Sequence, residues 1–291
     1  MKTTLAATSW ALMVACLTLA SCTEQPETPS FVLSPDGVPI HYEVHGTGNP
    51  ALVFVHGWSC DRTYWNAQMQ AFSEDYRVVL IDLAGHGESG DGRDVWSMEA
   101  FGKDVSAVVE ELGLNQVVLI GHSMGGPVVV EAALQLGNRV LGIVGVDTFK
   151  DYGITYSEEQ IEAIFEPFKA DFTGTTKVWV RENGFLPTSD PELVEWVAED
   201  MAAGPSVVGL EAGAEMWRWL GEPSRTALGN LQVPGILINS DLGNTDVAAI
   251  REYASVPFDA VLMSGVGHFV MMEDPETFNA LLSEAIASFL S

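Results

Sequence analysis

Positive charge is scarce in this chain: 13 Lys and Arg stand against 40 Asp and Glu among 291 residues, a net charge of −27. No run of Lys or Arg interrupts the acidic pattern, so a nucleic-acid backbone would be repelled, and nucleic acid is excluded as a partner. Anionic lipid headgroups would be repelled for the same reason. An acidic surface of this kind suits solubility in an exposed or salty compartment. Metal-ligand patterns are also missing: there is no His-Glu-x-x-His pair, no cysteine cluster and no loop of spaced carboxylates. The expectation is therefore a protein with no catalytic metal and no cofactor. Internal repeats are absent, and so is any apolar run long enough to span a bilayer comfortably.

The longest apolar stretch, 5–20, follows Lys2 and reads as a secretory signal. It ends Leu19-Ala20-Ser21-Cys22, which resembles the lipobox of bacterial lipoproteins. That resemblance implies removal of 1–21 as a signal peptide and acylation of Cys22, with 22–30 a lipid-attached linker. The expected product is exported and held to a bacterial membrane by that anchor alone, on the periplasmic or cell-surface side. The linker, Thr23-Glu24-Gln25-Pro26-Glu27-Thr28-Pro29-Ser30, is polar and proline-rich with nothing to bury. Of the 3 cysteines, Cys16 leaves with the signal and Cys22 is acylated. Cys60 then has no partner within the chain, and its expected role is that of a small buried thiol.

The body begins near Phe31, and its roughly 260 residues suit one large α/β domain with an insertion. From 51 to 146, runs rich in Val, Ile and Leu alternate with helical patterns, the order of strands and crossover helices in a parallel sheet. Central strands are expected at 51–55, 78–82, 117–121 and 141–146, each nearly all apolar as a strand covered on both faces should be. Helices are expected around 69–72 and over 98–112 and 124–136. A hairpin of 31–33 and 40–45 fits around the Pro35-Asp36-Gly37 turn. The alternation pauses over 149–228, a helical stretch holding Phe165, Phe168, Phe172, Trp179, Trp196, Trp217 and Trp219. This is read as a cap inserted between core segments 31–148 and 229–291, with most of the aromatics forming its own core. A strand at 235–239, a helix at 246–253, a strand at 258–263 and a last helix at 275–290 complete the core.

Within that frame the run Val117-Val118-Leu119-Ile120-Gly121-His122-Ser123-Met124-Gly125-Gly126 is a strand, a turn of small residues and the start of a helix. That is the context a nucleophile elbow requires: glycines two before and two after a serine leave room for a strained turn that lifts its hydroxyl clear of the sheet. Three further motifs follow the same order: Val53-Phe54-Val55-His56-Gly57-Trp58, Asp82-Leu83-Ala84-Gly85-His86-Gly87-Glu88-Ser89, and Gly265-Val266-Gly267-His268. Over 31–291 the chain resembles the α/β-hydrolase superfamily, which implies a mostly parallel central sheet flanked by helices, here with a helical cap.

By that resemblance Ser123 is the nucleophile and His268 its general base, a residue type that takes and returns a proton near neutral pH. The backbone N–H groups of Trp58 and Met124 are the expected oxyanion hole, with the Trp58 side chain lining the pocket. His41, His45, His56, His86 and His122 are assigned structural roles, since one base suffices. The third member departs from the common pattern. Members usually carry the acid in a Gly-x-x-Asp turn after the strand represented by 235–239, but here Ser240-Asp241-Leu242-Gly243 puts glycine where that aspartate is expected. An alternative place in the superfamily, as in a subset of haloalkane dehalogenases and some lipases, is the end of the strand after the nucleophile helix. Asp147 stands there and is preferred, with Asp241 and then Asp246 as the alternatives.

Haloalkane dehalogenases and soluble epoxide hydrolases of this fold use aspartate at the elbow, so Ser123 disfavours both chemistries. What remains is acyl transfer to water: carboxylic esters, lactones, thioesters or carbon–carbon bonds of diketone type. The expectation is a serine esterase of small apolar ester or acyl substrates, working through an acyl-enzyme. The alternatives are a cofactor-free perhydrolase or a carbon–carbon bond hydrolase on the same triad, and a non-catalytic ligand-binding member of the fold.

Overall fold

The computed structural model describes residues 30–150 and 152–291. The expected signal, Cys22 and the linker up to Pro29 lie outside the described residues. Ser30, expected to end the linker, is instead the first residue of β1 (Ser30–Leu33), which pairs antiparallel with β2 (Pro39–His45). The turn between them is held by Gly37 N–H donating to Ser34 O (2.8 Å), with Gly37 at φ 87°.

From there the chain alternates as the apolar pattern requires: β3 (Ala51–Val55), α1 (Asn66–Phe72), β4 (Arg77–Ile81), α2 (Met98–Glu111), β5 (Val117–His122), α3 (Gly125–Leu136) and β6 (Val140–Val146). The helical stretch follows as α4 (Glu158–Ala170), α5 (Phe172–Trp179), α6 (Pro191–Ala203), α7 (Ser206–Trp219) and α8 (Glu222–Asn230). The chain then returns with β7 (Gly235–Ser240), α9 (Val247–Arg251), β8 (Phe258–Met263), α10 (Val270–Glu273) and α11 (Pro275–Phe289). The sheet runs β1-β2-β4-β3-β5-β6-β7-β8. β2 is antiparallel to both its neighbours, and every pair from β4 to β8 is parallel.

Every residue of β3 and β5 is buried, because helices cover both faces. Successive side chains of a strand point to opposite faces. Val53 and Val55 accordingly join the core that holds Phe101 and Val105 of α2, while Leu52 and Phe54 join the one that holds Phe278 and Leu282 of α11. Burying each such side chain is worth about 1.5–3 kcal/mol, which makes this double layer the stiff base of the molecule. The strand order reverses between β3 and β5: β3 crosses to β4 on one side, and β4 crosses back over it to β5 on the other. In open α/β sheets the crevice at such a reversal, outside the carboxyl ends of the strands, is where ligands bind.

Several details depart from the sequence reading. The boundary expected at 228/229 falls inside α8, because Ala227 and Leu228 bury into the core shared with the sheet and the helix runs on past them. α10, the 3₁₀ turn Arg62–Trp65 and the π turn Val180–Gly184 were not expected. Each is too short to leave a periodic pattern. Of the aromatics in the helical stretch, Phe165, Phe168 and Phe172 form a buried cluster as expected, while Trp196 is 44% exposed. Trp219 buries into the sheet-side core and donates its indole N–H to Glu131 Oε1 at 2.7 Å. Cys60 is a free, buried cysteine.

Candidate active site

Four loops at the carboxyl ends of β3, β5, β6 and β8 carry the candidate residues. Ser123 sits in the turn between β5 and α3 at φ 52°, a left-handed conformation costing a non-glycine residue about 1–3 kcal/mol. Neighbouring backbone holds it there. Its N–H donates to Val146 O (2.9 Å), and its carbonyl accepts from Gly126 N–H (3.0 Å) and Thr148 Oγ1 (2.8 Å). The flanking glycines are required by close approach: a Cβ on Gly121 would lie 2.1 Å from Gly125 O, and one on Gly125 would lie 2.6 Å from Val55 O. The Ser123 hydroxyl makes no hydrogen bond to any described residue.

Asp147 directly follows β6, is 2% exposed and has φ 43°. Its N–H donates to Ile238 O (3.0 Å), which ties the turn to β7. One carboxylate oxygen, Oδ2, accepts from His268 Nδ1 at 2.6 Å. The other, Oδ1, accepts from the Ser240 N–H at 2.7 Å and lies 2.8 Å from Lys150 Nζ. Burial by itself would raise this carboxyl's pKa. The hydrogen bond from His268 and the positive charges of His268 and Lys150 outweigh it and hold the pKa at about 2. The acid is thus ionised throughout the working range.

His268 is placed by its backbone, whose N–H donates to Gly184 O (2.8 Å), and by Gly267 N–H, which donates to Glu273 Oε1 (2.8 Å). With Nδ1–H committed to Asp147, Nε2 is the nitrogen left to accept a proton. Ser123 and His268 line one cavity, but no hydrogen bond joins them.

The other two aspartates stand elsewhere. Asp241 is exposed, its N–H donating to Met263 O (2.9 Å). Asp246 caps α9, accepting from Ala249 N–H (3.0 Å). Asn239, fully buried where β7 ends, donates its amide to Thr148 O (2.9 Å) and accepts from Thr148 N–H (3.2 Å). It binds the β6 and β7 loops together beside Asp147.

Among the described residues neither the Trp58 nor the Met124 backbone N–H donates a hydrogen bond to protein. The Trp58 indole donates to Gly209 O (2.6 Å), and its ring packs edge-on against Phe168, Phe172 and Trp179. The buried histidines are tied to the loops around them. His56 donates from Nδ1 to Gly57 O (2.8 Å) and accepts Leu83 N–H at Nε2 (3.0 Å). His86 donates to Ala84 O (2.9 Å), and His122 donates to His268 O (3.0 Å). Burial pushes their pKa values down to about 4, 3 and 3 respectively, so all three are neutral. His41 and His45, both half-buried, pair with Glu88 and Glu43.

Lys150, Asn239 and Glu273 were not singled out in the sequence. Lys150 had a faint signal, a cation three residues beyond a candidate acid. Asn239 and Glu273 had none, since a polar residue ending an apolar strand or sitting in a short helix is unremarkable until its partner is known.

A cavity of about 440 Å³ opens between this cluster and the helical stretch. Its walls are largely apolar, with Phe165, Phe168, Trp179, Met216, Trp217 and Leu220 facing Ser123, Asp147, Lys150 and His268. Among the described residues no group of three or more His, Cys, Asp or Glu side chains is placed to hold a metal ion, and no helix is long and apolar enough to cross a membrane.

The model of the alpha/beta hydrolase family matches residues 52–281, which takes in all four loops. The chain belongs to the α/β hydrolase family. A bifunctional esterase/perhydrolase of Acinetobacter calcoaceticus is 43% identical over 98 residues, a match spanning 33% of this hydrolase and 36% of that protein. An AB hydrolase superfamily protein, YisY of Bacillus subtilis, is 24% identical over 271 residues, or 87% of this chain and 97% of that one. A thermophilic esterase from Thermogutta terrifontis superposes with a TM-score of 0.77 at 24% identity, covering 91% of this hydrolase and 100% of its own chain. At that identity the likeness is one of fold.

Proposed function

We propose that this α/β hydrolase is a serine esterase in which Ser123 is the nucleophile, His268 the general base and Asp147 the orienting acid. The observation that carries the reading is the hydrogen bond from His268 to a buried, ionised Asp147 on the wall of the cavity that Ser123 also lines. His268 takes the Ser123 proton as Oγ attacks the ester carbonyl, and Asp147 stabilises the imidazolium that forms. The free Trp58 and Met124 N–H groups receive the charge that develops on the carbonyl oxygen. Losing one such donor typically adds about 3 kcal/mol to the barrier. His268 then returns the proton to the departing alcohol, and a water activated by the same imidazole releases the acid.

The apolar cavity favours small to medium acyl groups. Each buried methylene is worth about 0.8 kcal/mol, or roughly fourfold in kcat/KM. Across p-nitrophenyl esters, kcat/KM is expected to climb by about that factor per methylene to a chain of about six carbons, then fall by dodecanoate. A fluorophosphonate probe should label the folded protein. No labelling would sink the esterase reading, and a flat chain-length profile would sink the assignment of the cavity as the acyl site. The Acinetobacter relative, named as both esterase and perhydrolase, favours a second activity on the same residues. Bromination of monochlorodimedone with acetate and peroxide, run beside the ester panel, would detect it.

The Leu19-Ala20-Ser21-Cys22 stretch supports an exported, lipid-anchored protein. In a bacterium expressing the full chain, the protein is expected to partition with membranes, and the Cys22→Ser variant with the aqueous phase. Equal partitioning of the two removes the anchor from the reading.

A further inference from the structure

We propose that Lys150 is a positioning residue and counter-charge for the Asp147–His268 pair, and that it keeps His268 in its neutral, proton-accepting form to lower pH than the pair alone would allow. The inference rests on the triad reading above. Its starting point is the division of the Asp147 carboxylate. Oδ2 receives the imidazole N–H at 2.6 Å, and Oδ1 receives the Ser240 N–H at 2.7 Å with the ammonium of Lys150 at 2.8 Å. The Lys150 ammonium is itself fixed, because its remaining donors go to Ser240 Oγ (2.7 Å) and Leu242 O (2.6 Å). Three donors meeting three acceptors hold the cation in place on the cavity wall.

An isolated buried carboxylate draws a proton onto its imidazole partner, because the resulting ion pair has no net charge. That proton disarms the base. With Lys150 in place the resting pair is already neutralised: carboxylate and ammonium cancel, and His268 can stay uncharged. Protonating His268 then sets two cations on one carboxylate, and like charges disfavour it. Few other charged groups face the pair among the described residues. His122, whose ring centroid is 4.7 Å from that of His268, is neutral through burial. Glu273 meets the loop through Gly267 N–H at 2.8 Å and acts in the opposite sense, favouring a protonated imidazole. Lys150 is thus the cation that opposes it.

The test is the pH profile of kcat/KM on p-nitrophenyl butyrate from pH 5 to 9.5. It is run on the wild type and on Lys150→Met, Lys150→Gln, Lys150→Arg and Ser240→Ala. Gln keeps amide donors toward Ser240 and Leu242 without the charge, so a Met variant that fails to fold still leaves a neutral replacement. The acid limb is expected to move up by about one pH unit in the neutral variants, a loss of about tenfold on the acid side. Their loss should shrink toward alkaline pH, since there the base is neutral in every variant. Lys150→Arg restores the wild-type midpoint, and Ser240→Ala, which loosens the tether but keeps the charge, leaves it unmoved. An unchanged or lowered midpoint in the neutral variants overturns the proposal, as does an equal loss at every pH, which marks mere structural support. A folded wild type that no fluorophosphonate labels refutes the triad itself, and that outcome is read before any Lys150 variant is made.

Discussion

Asp147→Asn is expected to lower kcat/KM by about 10⁴, while Asp241→Asn stays within about threefold of wild type. The large effect is one of tautomer as much as of charge. Asp147 Oδ2 accepts from His268 Nδ1, which leaves Nε2 bare toward the cavity. An asparagine amide turned toward the imidazole would donate instead, so the proton would sit on Nε2 and the base would present the wrong face to Ser123. The fold should survive, because the asparagine carbonyl can still take the Ser240 N–H that Oδ1 accepts now. Asp241 is exposed and contacts this cluster through neither carboxylate oxygen, so removing its charge should cost little. Steady-state kinetics on both variants decide between them. Turnover within about tenfold of wild type in Asp147→Asn, with a large loss in Asp241→Asn, would return the acid to the later loop.

Ser123→Ala is expected to cost more, about 10⁵ to 10⁶ in kcat, leaving only what the oxyanion N–H groups and binding supply. It should also abolish fluorophosphonate labelling. Stability should change little, within about 1 kcal/mol, because Ser123 holds its strained turn through backbone groups. Its N–H donates to Val146 O and its carbonyl accepts from Gly126 and Thr148, while the hydroxyl bonds to none of the described residues. Alanine bears the same left-handed penalty as serine, so no compensating gain is expected. Thermal melts run beside the kinetics separate lost chemistry from lost fold, and a well-folded variant that still turns over at a tenth of the wild-type rate would displace Ser123 as nucleophile.

The parallel sheet was legible because β3 and β5, buried along their whole length, can be built only from near-continuous apolar runs, and such runs stand out against the helical periodicity between them. The elbow was legible for a related reason. A Cβ on Gly121 would lie 2.1 Å from Gly125 O, a constraint written within five consecutive residues, whereas Gly125 is held to glycine by Val55 O on β3, 70 residues earlier. Where α8 ends was not legible, because Ala227 and Leu228 belong to a core that also holds residues far away in the chain, such as Phe101 and Val129. Short elements such as α10 were missed because a single turn carries no period.

The sequence by itself therefore determined the fold, the serine turn and the order of the loops that surround it, since each rests on local geometry or on patterning over a few residues. Tertiary structure decided the partners. Asp147, preferred in the sequence with Asp241 and Asp246 left open, lies 121 residues from His268, and only the packing of the sheet brings the two within hydrogen-bond distance. The same packing brings Lys150 to Ser240 and Leu242, 90 and 92 residues on, and turns a surface-type cation into a fixed counter-charge on the candidate acid. Contacts between chain segments that distant are set by how strands order and twist in three dimensions, and a one-dimensional pattern carries no record of them.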